Sequence, residues 1–354
     1  MRTSRHATDD GSTRRRFLKT SAAAGAATGL LGASVGASPA QAQALPQKAT
    51  PGDVDILKFL AAAELVEDDL WQQYCELAVG NPGFSRRLQR IDPSLVRYIC
   101  DDRDDERSHH RLINAYLESI GETPVNLDPF RTLPSSNARG AESTGRLTNL
   151  TNLTVDTSWY NRYRSAGNPH FGDSFPQVVE IKDKPAIPTD NGFSNARNQS
   201  IAHVAAFHFG TIEQGGASLY TALLAKVTSL DALIILSSIG PTEFYHFAAF
   251  HKSLEGLFGF DGFGLSFPDL KRDKDRSRAI FPEPAKFLGA ALGADLPLVS
   301  VVRPRSIPNA GAVASATSLV SSGLFEGQPQ AFLDAVTALA TAADAAQRGD
   351  GGGG

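Results

Sequence analysis

The chain has 354 residues, 42% of them hydrophobic, and 34 basic side chains against 38 acidic ones, a formal net charge of −4. That balance excludes a basic face for nucleic acid, and no run beyond the N-terminal segment is apolar for long enough to anchor the chain permanently in a bilayer. Two cysteines, Cys75 and Cys100, could pair in an oxidising compartment but are too few to staple a fold, so a hydrophobic core must supply the stability.

At the N-terminus, Thr13-Arg14-Arg15-Arg16-Phe17-Leu18-Lys19 precedes a weakly apolar, Ala- and Gly-rich run from Ala22 to Val35, and Ala40-Gln41-Ala42 offers small residues spaced for signal-peptidase cleavage. Residues 1–42 therefore read as a twin-arginine export signal, and the mature protein is expected in the periplasm or outside the cell. Six basic and two acidic residues leave with it, so the mature chain is more acidic. Apolar residues at three- and four-residue steps (Leu57, Leu60, Ala61, Leu65, Trp71) predict a first helix from about Asp53 to Val79, capped by Asp53 or Asp55. A second is predicted from Asp92-Pro93, a cap followed by proline at the first helical position, to the stop at Gly121. A third covers about Asn195 to Val227 and a fourth about Ser229 to Gly256, with so short a join that they must be antiparallel neighbours. Gly240-Pro241 is expected to kink the fourth.

The pattern predicts an all-α four-helix bundle over residues 50–256, built from two helical hairpins. Residues 122–194 form a long, loop-rich crossover insertion between helices 2 and 3, with one strand-like run at Gln177 to Ile181. A C-terminal extension over 257–348 carries a final helix, roughly Pro329 to Ala346, before a flexible glycine tail at 349–354.

Chemistry concentrates inside the helices. The second carries Glu106-Arg107-Ser108-His109 and the fourth Glu243-Phe244-Tyr245-His246, two Glu-x-x-His motifs that each set a carboxylate and an imidazole on one face. The first and third each place one Glu in an apolar stripe: Glu64 among Leu57, Leu60 and Trp71, and Glu213 among Phe209, Ile212 and Tyr220. A lone buried carboxylate is costly. Four carboxylates and two imidazoles converging in one core offset that cost by sharing two divalent cations. The candidate metal ligands are thus Glu64, Glu106, His109, Glu213, Glu243 and His246; Glu67 or Asp68 could stand in for Glu64, and His110 for His109. Carboxylate and imidazole donors suit iron or manganese. An aromatic seven residues after each lone Glu, Trp71 and Tyr220, makes the hairpins look like versions of one unit; both could be redox-active or line a pocket but read first as core. Asp105 could orient a ligand imidazole, but Asp101 to Glu106 reads first as a solvated acidic face; Gly215-Gly216 could open room for oxygen or peroxide near the metals but reads first as a close approach of helices.

These residues resemble the ferritin-like domain proteins of the bacterial stress- and desiccation-associated kind. The likeness is closest at Phe207 to Tyr220, at Ser238 to Phe247 and at Leu153 to Tyr160. It implies a ferritin-like fold more firmly than an activity, since the wider superfamily spans ferritins, rubrerythrin-like peroxidases, manganese catalases and dimetal oxygenases. The leading expectation is a dimetal oxidoreductase that takes oxygen or hydrogen peroxide as substrate in stress defence. The alternatives are a non-enzymatic iron-binding or storage protein and a stress-protective structural module. A homo-oligomer is left open.

Overall fold

The computed structural model describes residues 45–164, 175–192, 194–272, 284, 292–300 and 310–348. The export signal and the glycine tail expected above lie outside these residues.

Helix α1 (Pro51–Gly80) starts two residues earlier than foreseen, from a capping box: Thr50 Oγ1 accepts from Asp53 N at 3.3 Å, and Asp53 Oδ2 accepts from Thr50 N at 3.0 Å. Asp53 is therefore the third helical residue and not the cap. Its carboxylate has a second task, accepting from Thr228 N at 2.8 Å and Ser229 N at 3.0 Å. Helix α2 (Pro82–Ile91), absent from the sequence reading, is capped by Asn81 and buries Phe84, Leu88 and Ile91 along one face. Because Asp92 closes α2, and its Oδ1 accepts from Ser94 N at 2.7 Å, α3 (Leu95–Ser119) begins later than the Asp92-Pro93 pair suggested.

Contacts Lys58–Glu122, Asp68–Arg107 and the disulfide Cys75–Cys100 step in opposite directions along α1 and α3, so the pair is antiparallel. After the short helix α4 (Trp159–Arg164) come α5 (Asn195–Leu224) and α6 (Leu230–Leu254), capped by Ser194 and Ser229; each ends two or three residues short of its predicted stop. They too are antiparallel, with Glu213 beside His246 and Phe209 beside Phe250. Helix α6 stays helical through Pro241. Since α1 faces α5 in opposite sense (Tyr74–His208, Glu64–Tyr220), α3 and α5 run the same way, and the chain between them must travel back along the bundle. That return explains the long crossover.

The crossover is fastened to the bundle by buried polar contacts. Asp69 of α1 accepts from Leu147 N, Thr148 N and Thr148 Oγ1 at 3.0, 2.9 and 2.7 Å, and pairs with Arg131 at 2.7 Å. Trp159 lies so close to α5 that a Cβ on Gly210 would overlap its ring. Strand β1 (Leu153–Val155) pairs antiparallel with β2 (Ile181–Lys184), which begins where the predicted strand was to end. The preceding backbone is engaged by Thr157, whose Oγ1 donates to Val179 O at 2.9 Å and accepts from Val178 N at 3.0 Å. A hairpin of β3 (Phe260–Gly262) and β4 (Leu265–Phe267) follows α6. In the C-terminal extension α7 (Ala312–Ser321), not foreseen, precedes α8 (Gln330–Ala345), and α8 packs on α1. No helix of the described residues is long and apolar enough to cross a membrane.

Candidate metal centre

Every helix of the bundle sends acidic or imidazole side chains to one level of the core. Glu64 comes from α1, Glu106 and His109 from α3, Glu213 from α5, and Glu243 and His246 from α6, all buried. All six expected residues converge, and Asp102 of α3 joins them. Of the stand-ins, Asp68 is drawn away to Arg107 at 2.9 Å and His110 at 3.2 Å, and Glu67 belongs to neither group described next. Asp102 lies one turn before Glu106 on the buried stripe Ile99, Asp102, Glu106, His109, Ile113, Leu117. The acidic run is a solvated face only at Asp101, Asp104 and Asp105, and the three- and four-residue spacing is the signal that distinguishes Asp102.

The side chains form two groups, Glu64, Glu106, His109 and Glu243 in one and Asp102, Glu106, Glu213 and His246 in the other, each with ligand atoms within 4.8 Å of one another. Glu106 belongs to both. Its Oε2 lies 3.0 Å from His109 Nδ1 and its Oε1 3.0 Å from His246 Nδ1. The imidazole rings are nearly parallel, with centroids 6.2 Å apart.

Contacts outside the groups fix the imidazole tautomers. Thr242 Oγ1 donates to Ile239 O at 2.6 Å, so at 3.2 Å from His109 it serves as acceptor for Nε2–H. Asp105 Oδ2 accepts from His246 Nε2–H at 3.0 Å, so this partly exposed carboxylate does orient an imidazole, on the opposite helix. Both Nδ1 atoms then face the carboxylates, where each carries a proton that a cation would displace to take up the lone pair. Tyr220, expected to be plain core, donates its hydroxyl to Glu64 Oε1. Trp71 does behave as core, stacked on Phe250 at 4.9 Å.

A test of fit follows from the atoms left over. His246 Nδ1 is 2.8 Å from Asp102 Oδ1 and 3.4 Å from Glu213 Oε2, yet it is aligned for a hydrogen bond with neither. Both oxygens of Asp102, Glu213 and Glu243, and Glu106 Oε1, are likewise buried without an aligned donor. Lone pairs gathered this tightly repel one another unless a positive charge stands among them. Oxygen and nitrogen donors in two four-residue groups sharing one carboxylate are compatible with a pair of divalent cations. Electrostatics agree. Burial, reinforced by neighbouring carboxylates, pushes Glu106 and Glu243 well above the usual carboxyl range, and burial with the Asp102 charge pushes Glu213 up to about 8. Burial also raises Asp102. Glu64 is the exception: burial opposes its charge, but hydrogen bonds with Glu106, His109 and Tyr220 outweigh it and hold the carboxyl low. For His246 burial opposes the charge, but the Asp102 charge and the polar contacts with Asp102, Asp105 and Glu106 outweigh it and raise the imidazole well above its ordinary value. Protons thus occupy a site that cations would fill by displacing them.

The family model described as Ferritin-like domain matches residues 52–256, more than half of the chain. Comparison with curated proteins and with solved structures returns no match.

Proposed function

Because the chain belongs to the ferritin-like domain family, we propose that it is an exported dimetal-carboxylate oxidoreductase that uses two iron or manganese ions to act on oxygen or hydrogen peroxide in stress defence. The observation that carries this reading is the pair of buried groups joined at Glu106. Glu64, Glu106, His109 and Glu243 would hold one cation, and Asp102, Glu106, Glu213 and His246 the other. Such a pair supplies Lewis acidity and a two-electron reservoir next to a bound oxidant. The protein's own part is positioning. Asp105 and Thr242 aim the two Nδ1 atoms inward, and the Tyr220 hydroxyl fixes Glu64 and is a proton donor already at the centre. Burial of the whole group keeps bulk water from competing for the cations. The Arg14-Arg15 pair supports twin-arginine export, and the Cys75–Cys100 disulfide suits the oxidising compartment to which that route leads.

Elemental analysis of protein recovered from the envelope of cells supplied with both metals, followed by assay of oxygen and peroxide consumption, tests the proposal. About two iron or manganese ions per chain and metal-dependent consumption are expected. Well-folded but metal-free protein overturns it. Retained iron without turnover would assign the chain to non-enzymatic iron binding instead.

A further inference from the structure

Beside the metal-compatible groups, on the far side of α5, lies a cavity of about 310 Å³. Helices α1 and α5 form its floor, the β1–β2 ribbon one wall and α7 another, so the bundle, the crossover and the C-terminal extension all contribute. Phe59, Val66, Leu70, Ile212 and Leu219 make the lining mainly apolar. Glu67 breaks that lining. It belongs to neither cation group, and its Oε2 is buried without a hydrogen-bond partner. Burial and the charges of Glu243, Glu213, Glu64 and Asp102 push its carboxyl well above the usual range, and a buried carboxyl oxygen of this kind calls for a hydrogen-bonding partner that the chain does not supply.

Two glycines of α5 border the space. A Cβ on Gly216 would overlap Glu243 Oε2 and lie 3.6 Å from Glu67 Oε1, so Gly216 borders both the cavity and the centre. A Cβ on Gly215 would meet nothing within 4 Å, and its missing side chain leaves room. The charges nearby select against ions. An anion would face the carboxylates behind Gly216, while a cation would lose its hydration against apolar walls beside a Glu67 that favours its neutral form. At the mouth, Asp156 is already opposed by Arg162 at 3.6 Å, and Glu180 lies beside Lys182 in the lining.

We propose that this cavity is a binding site for a small neutral molecule with an apolar body and one hydroxyl group, of the class of an alkylphenol, whose hydroxyl hydrogen-bonds to Glu67. Taking the ~30 Å³ that a water molecule occupies in the liquid as the unit, the space holds about ten non-hydrogen atoms. The inference goes beyond the proposed oxidoreductase, because it rests on the cavity walls and does not require the cations.

Calorimetric titration of the exported full-length protein with 4-propylphenol tests it, with propylbenzene as the same body lacking the hydroxyl. Saturable binding of the phenol to one site per chain is expected, about tenfold or more tighter than propylbenzene, and Glu67→Leu should erase that preference. Gly215→Leu fills the cavity from α5, and Ser318→Phe fills it from α7 should the first variant fold poorly. Either should weaken the phenol about tenfold or more. Absence of saturable binding, equal affinity for the two probes in the unaltered protein, or undiminished binding in folded filling variants overturns the proposal.

Discussion

Glu106 is the residue on which the two groups depend, since one oxygen faces His109 and the other His246, each at 3.0 Å. Asp102 touches only the second, at 2.8 Å from His246. The two positions therefore predict different stoichiometries. Glu106→Gln keeps the shape but removes a charge that both cations need, and should cost most of the bound metal. Asp102→Asn should leave the group of Glu64, His109 and Glu243 able to hold its own cation, about one per chain. Elemental analysis of the two purified variants decides, and equal metal content in both would break the assignment of Glu106 as the shared carboxylate. The Glu-x-x-His motifs were legible because a three-residue step on a helix is a geometric statement in itself. Asp102 was not, because it stands among acidic neighbours that point to solvent, and only its register with Ile99 and Glu106 distinguishes it. The hydroxyls of Tyr220 and Thr242 were hidden for another reason: their partners lie on other helices, which no spacing within one helix can reveal.

Among the elements, the four long helices were readable from apolar periodicity, whereas α2, α4 and α7 were not. Each is only six to ten residues long and owes its order to the surface it meets. Helix ends shifted where a polar side chain served two masters, as Asp53 does in capping α1 and in gripping the α5–α6 turn. The helix pair α1–α3, which brings Glu64 to Glu106 and His109, is the one held by a covalent link. Cys75 and Cys100 were seen as able to pair, and they do, across a sequence separation of 25. Closing a loop of that length constrains the unfolded chain by about 3.5 kcal/mol. Replacing both cysteines by serine should therefore lower the melting temperature by roughly 5 °C in a molecule of this size. Scanning calorimetry measures the shift, and circular dichroism should show the helices retained, because the apolar stripes of α1 and α3 remain. An unchanged melting temperature would mean that the pair adds nothing to the packing it joins.

At the scale of the whole molecule, the bundle gathers more acidic groups than it neutralises, and its stability must depend on what neutralises them. A carboxyl whose pKa is raised on folding binds its proton more tightly in the native chain than in the unfolded one. The stability it contributes is present below its unfolded pKa and is lost as pH rises through the folded value. For Glu213 that window runs from 4.5 to about 8, and the raised carboxyls of Asp102, Glu106 and Glu243 act in the same sense. So does His246, an imidazole held well above its ordinary 6.5. Two buried histidines act oppositely: burial lowers His203 to about 4 and His208 to about 3, so each costs stability as pH falls below its unfolded value of 6.5. Above pH 6.5 these two are neutral in the native state and shed only the last of their unfolded-state protons, while Glu64, held low, is ionised in both states. The raised groups then dominate the titration. Protein stripped by a chelator should accordingly melt at a progressively lower temperature between pH 6.5 and pH 8. In metal-loaded protein the cations displace those protons and hold the carboxylates ionised, so the decline should vanish or reverse. Calorimetric melts of both forms across that interval make the comparison. The same downward slope with and without metal would show that the acidic core does not take up cations at all.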